Sequence, residues 1–344
     1  SKHAVLKEWA ITSRRDNAPD YDLLKRYEEE LGGPGIWGAL HADRRIIMGQ
    51  YCMFQQDYNR RFSDSELISI LQECLVRINA FLTDTKPDVI LSFICVTPIE
   101  YLISLFARAR GIRYINLRPS RVTNHFQLAS TTMDPSPELV ASYEKLLNAE
   151  NPYNQKARDH IANVRSRTVK YEGAIKATSK PLVAQLGWGT RMKNMAYAFY
   201  TLLKNRDPEI NTDNALAPPV QSEFIRNFIV PRRAAQIARL MKDIYVYPED
   251  MEGKKFAFFP LHTEPEIQLL VYSRPYGNQI EAIRAAAMAL PADMFLVVKE
   301  HPWMIGKRKT GYYKKLLQIP KVLLSAPEID TSHYVDKSSL IVTL

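Results

Sequence analysis

Apolar positions recur with helical spacing between residues 63 and 88. Ser63-Asp-Ser-Glu66 has the form of a capping box, in which a serine and a glutamate satisfy each other's backbone amides. Lys86-Pro87-Asp88 gives the segment a clear end. The apolar residues between these signals lie three or four positions apart and predict an amphipathic helix: Leu67, Leu71, Cys74, Leu75, Ile78 and Leu82.

Continuous apolar runs alternate with helical segments in two parts of the chain. Runs 89–94 and 112–117 predict buried strands, and 99–110 predicts the helix between them, which Gly111 ends. Strand, helix and strand joined by short links are typical of an α/β domain. The same rhythm resumes after residue 255, with predicted strands 256–260, 294–298, 322–325 and 340–344, helices 278–290 and 311–318, and a short helix capped by Asp330.

This pattern predicts three segments in the 344 residues. Residues 1–134 form an N-terminal Rossmann-like domain, and 135–250 form a helical insertion or connector. Residues 251–344 form a C-terminal Rossmann-like domain. Two α/β halves joined by helices describe a GT-B-like architecture with the ligand cleft between them. A nucleotide-binding half usually continues past its fourth strand, so we expect this domain to be incomplete at Leu344.

Charge and composition restrict the classes of partner. The net charge is +9, and many of the basic residues fall between 191 and 242. Three interpretations stay open for this region: a solvated helical face, a membrane-surface contact, or nucleic acid binding. The charge is not accompanied by a helix-turn-helix, zinc-finger or RNA-binding signature, so we expect no nucleic-acid partner. The sequence shows no signal peptide and no run of about 20 apolar residues, which predicts a cytoplasmic protein or one peripheral at the inner membrane.

The three cysteines have no metal-binding spacing, and an odd number suits a reducing compartment. Cys74 and Cys95 lie in apolar runs, which favours inert buried thiols.

Two predicted strands of the C-terminal segment end at a histidine, His262 and His301. The carboxyl ends of parallel strands share one edge of a sheet, where ligands bind. Pro302 restricts the backbone of His301, so its ring has a defined direction. Lys299 lies two positions earlier, on the same face of an extended strand. We therefore predict a nucleotide-binding group of Lys299, Glu300, His301 and Pro302.

Two carboxylates, Glu264 and Glu266, follow His262 at alternate positions. A histidine and two carboxylates can bind a metal, but the surrounding prolines indicate an extended loop without the spacing of a metal motif. We predict no metal here. Glycosyl chemistry uses paired carboxylates, so Glu264, Glu266 and His262 are the predicted catalytic residues. Alternatively, a carboxylate ties this loop to Arg274 or Arg284.

Other candidates carry weaker signals. Gln279 follows Gly277 at a predicted helix start, where free amides bind anions, and its side chain can read a base or sugar edge. In the N-terminal segment Glu100 follows the first strand, and Arg118 and Arg121 follow the second. The arginines are predicted to bind an anionic substrate or donor carboxylate. Surface or interdomain ion pairs are the alternative.

The order of motifs after residue 256 resembles bacterial capsule and surface polysaccharide biosynthesis proteins. The resemblance rests on Pro260-Leu-His262-Thr-Glu264-Pro-Glu266, Gln279-Ile-Glu-Ala-Ile283, Leu290-Pro291, Val298-Lys-Glu-His-Pro302, Gly311-Tyr-Tyr313 and Ile341-Val-Thr343. The N-terminal half fits only loosely, and the family usually continues past the last strand with Thr-Gly-Thr and a glycine-rich helix start.

This resemblance implies a GT-B glycosyltransferase that uses a CMP-activated acidic sugar such as Kdo and a glycan or glycolipid acceptor. It implies that residues 1–134 are the acceptor side and residues 251–344 the nucleotide-sugar donor side. It also implies that His301 contacts the donor nucleotide and that the loop from His262 to Glu266 lines the cleft. It implies no cofactor other than the nucleotide-sugar donor. Two alternatives stay open: a sugar-nucleotide epimerase or UDP-sugar transferase of the same architecture, and a non-enzymatic scaffold of a polysaccharide assembly complex.

Overall fold

The structure is a computed structural model. It describes residues 4–12, 14–33, 35–47, 61–120, 122, 125–132, 136–147, 149, 154–167, 177–178, 180–181, 184, 186–204 and 219–344. The chain divides into two compact units, each discontinuous in sequence. The smaller unit comprises Ser1–Leu6, Pro19–Ala39 and Leu71–Ile175, and the larger unit comprises Lys7–Ala18, Leu40–Ile70 and Lys176–Leu344.

The α-helices of the described residues are α1 (Glu8–Thr12), α2 (Tyr21–Leu31), α3 (Gly38–Ala42), α4 (Arg44–Ile47), α5 (Asp64–Thr85), α6 (Pro98–Ala109), α7 (Pro137–Leu147), α8 (Gln155–Arg165), α9 (Trp188–Lys204), α10 (Pro219–Phe224), α11 (Val230–Met241), α12 (Gln279–Ala289), α13 (Thr310–Leu317) and α14 (Ser332–Lys337). A π-helical turn, Ile225–Ile229, joins α10 to α11. None of the helices in these described ranges is long and apolar enough to cross a membrane.

The predicted capping box begins α5. The Ser63 amide donates to Glu66 Oε2 at 2.7 Å, and the Glu66 amide donates to Ser63 Oγ at 3.3 Å. The helical spacing is also confirmed, because five of the six residues of the predicted apolar face are buried: Leu71, Cys74, Leu75, Ile78 and Leu82.

The smaller unit contains a three-stranded sheet in the order β1 (Val89–Ser92), β2 (Arg113–Pro119) and β3 (Phe126–Ala129). Strands β1 and β2 are parallel and α6 connects them, as the sequence predicts, whereas β3 is antiparallel to β2. Gly111 has a φ of +66°, a conformation that favours glycine and lets the chain turn from α6 into β2.

The expectation that β1 is buried on both faces is wrong. Val89 is 46% and Leu91 is 66% exposed. The exposed residues alternate along β1, so the side chains on one of its faces lack a covering layer.

The larger unit contains a parallel four-stranded sheet in the order β6 (Val322–Ser325), β5 (Met294–Lys299), β4 (Lys255–Pro260) and β7 (Leu340–Ile341). Both faces are covered. Ala257 and Phe259 belong to the core cluster that includes Ile283 of α12, whereas Phe258 stacks on Tyr334 of α14 at 5.5 Å between ring centroids. The predicted continuous buried strands are therefore confirmed for β4 and β5.

The predicted α/β class is confirmed, because both units combine helices with parallel strands. Between residues 135 and 250 the described residues are helical or irregular, apart from one isolated bridge from Val246 to Ser325. The GT-B arrangement of the two halves and the boundaries 1–134, 135–250 and 251–344 stay predictions.

The loop after β5 packs tightly against the start of α11. Gly306 has a φ of +78°, and a Cβ atom there would lie 2.4 Å from the Val230 carbonyl oxygen. Arg233 of α11 donates from Nη1 to the Lys307 carbonyl oxygen at 2.9 Å. Only glycine fits at position 306, and the contact holds the following residues in place.

We expect Gly306→Ala to destabilise the protein more than Gly253→Ala. Both glycines have positive φ, but at Gly253 no atom of the described residues, apart from its two chain neighbours, lies within 4 Å of a Cβ. The difference in stability between the two variants therefore reports the backbone clash. We expect this clash to lower the free energy of unfolding of Gly306→Ala by roughly 2 kcal/mol more than Gly253→Ala does. Urea denaturation of the two variants measures it, and equal losses would contradict the close approach.

Candidate functional site

The strand order of the larger unit defines one ligand-binding edge. In sequence order the strands run third, second, first and fourth, which is the order of the first four strands in a doubly wound Rossmann-type sheet. The order reverses between β4 and β7, and ligands bind at the carboxyl ends of the strands at such a point. His262 follows β4, His301 follows β5, and Thr343 follows β7. The two histidines that the sequence singled out therefore belong to the same edge.

A buried arginine connects the loops at this edge. Arg308 is 1% exposed, and its Nε donates to Glu300 Oε2 at 2.9 Å. Its Nη1 lies 2.7 Å from Glu264 Oε2, as an ion pair without hydrogen-bond alignment. Its Nη2 donates to the His262 carbonyl oxygen at 2.7 Å. One guanidinium thus joins the loops after β4 and β5.

Electrostatics keep this guanidinium charged. Burial by itself lowers the pKa of Arg308, but the negative charge of Glu300 raises it, with a further contribution from Glu264. The net result is a pKa above the ordinary value. Two buried carboxylates therefore share one permanent positive charge.

Glu300 and Gln279 complete this network. The second oxygen of Glu300, Oε1, accepts from the His301 amide at 2.8 Å, and Oε2 also accepts from the Tyr313 hydroxyl at 2.7 Å. Gln279 accepts from the His262 amide at 2.8 Å and donates to both the His262 carbonyl oxygen and Glu264. The side chains predicted to contact a nucleotide or sugar here, Glu300 and Gln279, are buried and orient the two histidines.

His301 is held in one tautomer. Its Nδ1 accepts from the Trp303 amide at 3.2 Å, which places the ring proton on Nε2. Burial lowers the pKa of His301. The negative charges of Glu300 and Glu266 raise this pKa, and Lys299 and His262 lower it further. The residue is thus a neutral imidazole that presents an N–H donor, and among the described residues Nε2 has no hydrogen-bond partner.

His262 is held in the opposite tautomer. Its Nε2 accepts from the Leu344 amide at 3.3 Å and lies 3.2 Å from Thr343 Oγ1. The proton therefore lies on Nδ1. Burial also lowers the pKa of His262, against the charge of Glu266. This histidine links the end of β4 to the end of β7.

The two predicted catalytic carboxylates have different surroundings. Glu264 is buried and paired with Arg308, not with Arg274 or Arg284 as the alternative interpretation proposed. Glu266 is exposed and accepts from Thr263 Oγ1 at 2.5 Å. Of the two, Glu266 is the carboxylate that a substrate in solvent can reach.

Lys299 lies at the end of β5 but is almost fully buried. Its Nζ donates to the Pro327 carbonyl oxygen at 3.1 Å, in the loop after β6. Burial lowers the pKa of Lys299, and the negative charge of Glu300 raises it in part.

Pro302 begins a 3₁₀ turn that His301 caps. No group of three potential metal ligands lies within the described part of the chain.

The predicted substrate-binding residues of the N-terminal segment have local partners. Glu100 lies in the first turn of α6 and accepts from the Val96 amide at 2.8 Å and from Thr97 Oγ1 at 3.4 Å. Arg118 donates to Asn116 Oδ1 at 2.9 Å and to the Thr131 carbonyl oxygen at 2.6 Å. Arg121 lies outside the described residues. Their role in substrate binding stays a prediction.

A cavity of about 510 Å³ lies in the smaller unit, near the start of β2. It is large enough for a small-molecule ligand. Its lining includes Tyr101, Arg108, Arg113 and Glu138, but neither Glu100 nor Arg118.

Sequence reasoning missed Arg308, which connects more of this site than any predicted residue. The residue falls in the basic run Lys307-Arg308-Lys309, where a solvated charge is the usual interpretation. The carboxylates near the strand ends could have indicated it, because carboxylates that become buried need a positive charge beside them.

Comparisons with known proteins place the chain in no family. No family model matches it, and no curated protein does. Among solved structures, a UDP-GlcNAc 2-epimerase of Methanocaldococcus jannaschii, in complex with UDP-GlcNAc and UDP, is 12% identical with a TM-score of 0.19. The match covers 84% of this chain and 64% of the epimerase, so the chain spans less than two thirds of that protein's length.

We expect Arg308→Met to lower the free energy of unfolding by about 3–5 kcal/mol, because it leaves two buried carboxylates without a counter-charge. Chemical denaturation measures the loss. Asp293→Asn is the control, since it breaks the exposed pair with Lys255 and should change stability little. A small effect of Arg308→Met would show that the carboxylates are not buried as a charged group.

We expect stability to fall on acidification below about pH 6.5, in part because of the two histidines. Their folded-state pKa values are below the ordinary value of 6.5, so the unfolded state binds more protons as the pH falls. The double variant His262→Gln/His301→Gln should show a shallower loss between about pH 7 and 5.5. Thermal unfolding across this range tests it, and an unchanged slope would mean that neither ring is held neutral.

Proposed function

We propose that this protein is a glycosyltransferase of bacterial surface polysaccharide biosynthesis that binds a nucleotide-sugar donor at the carboxyl edge of the β6-β5-β4-β7 sheet. The observation that carries the proposal is the state of His301. Its neutral ring has a defined tautomer, and Nε2–H is an open donor at the end of a parallel strand. A fixed donor of this kind suits a phosphate oxygen, whose negative charge grows as its bond to the sugar breaks.

The reaction that fits the site breaks the bond between the anomeric carbon and the donor phosphate. Negative charge then develops on the phosphate oxygen, where the His301 Nε2–H stabilises it without having to transfer its proton. The acceptor hydroxyl forms the new bond to the anomeric carbon and loses its proton. Glu266 is the carboxylate proposed to take that proton, because it is exposed whereas Glu264 is committed to Arg308.

The donor is proposed to be a CMP-activated acidic sugar. This finer assignment rests on the resemblance of residues 256–344 to capsule and surface polysaccharide proteins, and above all on Val298-Lys-Glu-His-Pro302. The acceptor is proposed to be a glycan or glycolipid.

Calorimetric titration with CMP, UDP and GDP tests the proposal. We expect CMP to bind most tightly and His301→Ala to weaken binding at least about tenfold, which corresponds to one charge-assisted hydrogen bond. His301→Gln should restore part of the affinity, because an amide nitrogen can reach the position of Nε2.

His333→Ala is the matched control, since His333 is an exposed histidine of the same unit. Tight UDP binding that depends on His301 would replace the CMP-sugar donor by a UDP-sugar, and incubation with the sugar nucleotide alone, followed by NMR, would then detect an epimerase. If none of the three nucleotides binds the folded chain, the enzymatic proposal is wrong and a scaffold role takes its place.

A further inference from the structure

Helix α9 presents an apolar stripe to solvent. Trp188, Met192, Phe199 and Leu203 are separated by four, seven and four positions, so they lie along one side of the helix. Their exposed fractions are 66%, 54%, 55% and 51%. Ala198 is the residue of α9 that is buried. An amphipathic helix normally buries such a stripe, and this one leaves it in contact with water.

The edge of the stripe is basic and aromatic. Lys193, Lys204, Tyr197 and Tyr200 follow on the adjacent side of the helix, and both tyrosines are exposed. The Lys204 ammonium lies 5.5 Å from the centroid of the Tyr200 ring. The 17 residues of α9 include no aspartate or glutamate. Every ionised side chain of this helix is therefore positive.

Contacts in the first turn of α9 hold it to the larger unit. The Trp188 ring lies 6.1 Å from the Phe228 ring in the π-helical turn, and Arg191 Nη1 donates to the Asn227 carbonyl oxygen at 3.5 Å. Phe224, at the end of α10, is also exposed and extends the apolar surface. Trp188 thus joins the stripe to this contact at the start of the helix, whereas the other three residues of the stripe, Met192, Phe199 and Leu203, remain exposed.

We infer that this face of α9 binds the surface of an anionic lipid bilayer. Exposed Trp, Phe and Leu beside Tyr and Lys are the composition of helices that lie in the membrane interface, with the apolar side chains at the boundary of headgroups and acyl chains. The uniformly positive charge complements anionic headgroups. A nucleic acid would match the lysines but would leave the stripe of Trp, Met, Phe and Leu without a partner.

Co-sedimentation with lipid vesicles tests this inference independently of any catalytic activity. The full chain is mixed with vesicles of phosphatidylcholine alone and with vesicles in which about a third of the lipid is phosphatidylglycerol. We expect binding to the anionic vesicles that weakens with added salt, and little binding to the neutral ones.

Two variants separate the apolar and electrostatic contributions. Phe199→Gln/Leu203→Gln should weaken binding at least about tenfold, since two apolar side chains no longer enter the interface. Lys193→Gln/Lys204→Gln should weaken binding about 25-fold, or about fivefold for each charge near the surface. Lys156→Gln/Arg158→Gln in α8 is the matched control, because it removes two positive charges from another exposed helix.

The altered side chains of α9 are exposed, so both variants should unfold at the wild-type temperature. The inference is overturned if the wild-type chain does not bind anionic vesicles, or if the α8 control weakens binding as much as the α9 variants. Light scattering tests whether a second copy of the chain binds the stripe instead. If the wild-type chain is a dimer that Phe199→Gln/Leu203→Gln dissociates, and the chain does not bind vesicles, another copy of the chain covers the stripe.

Discussion

The candidate site depends on one buried guanidinium. Glu264 and Glu300 come from loops after two different strands, and both are buried, which is unfavourable unless a positive charge accompanies them. Arg308 supplies that charge and also donates to the His262 backbone. The loop that carries it can approach only because Gly306 has no side chain where it meets α11. Packing and charge pairing therefore position the strand ends together.

In this site the side chains that hold the backbone in place are different from the one that solvent can reach. Gln279 and Glu300 use their polar atoms to hold the backbone of His262 and His301, and Glu264 accepts a hydrogen bond from Gln279. The two rings are then neutral, with their protons on opposite nitrogens, because each accepts a backbone N–H at a defined position. Glu266 remains accessible to solvent. A site of this kind has its hydrogen-bond donors oriented before a ligand arrives, which limits the reorganisation that binding requires.

The larger unit also has two surfaces of different chemistry, the carboxyl edge of its sheet and helix α9. The carboxyl edge of the sheet is polar and organised by buried charges, whereas α9 exposes an apolar stripe with a basic edge. Folding alone gives no reason to leave Trp188 and Phe199 in water, because their burial would stabilise the protein. A surface of this composition is consistent with the proposal that the enzyme works on a glycolipid or glycan at a membrane.

The sequence by itself determined α5, α6 and the strands and helices of the C-terminal segment, together with the position of the two histidines. Local signals were sufficient for this: the Ser63 and Glu66 capping box, the turn at Gly111, and the continuous apolar runs that became β4 and β5. Each depends on neighbouring residues and the period of the backbone, which one chain segment contains in full. The exposure of β1 could not be predicted, because it depends on which elements pack against each face of the sheet.

Only the tertiary structure decided the roles within the site. Glu264 and Glu266 are two positions apart and equivalent in sequence, yet one is buried against Arg308 and the other faces solvent. Arg308 lies 44 positions from Glu264 in a run of basic residues that looked solvated. The tautomers of His262 and His301 likewise depend on amides that folding brings to them. Burial and partner choice arise from contacts distant in sequence, so local patterns could predict the residues but not their states.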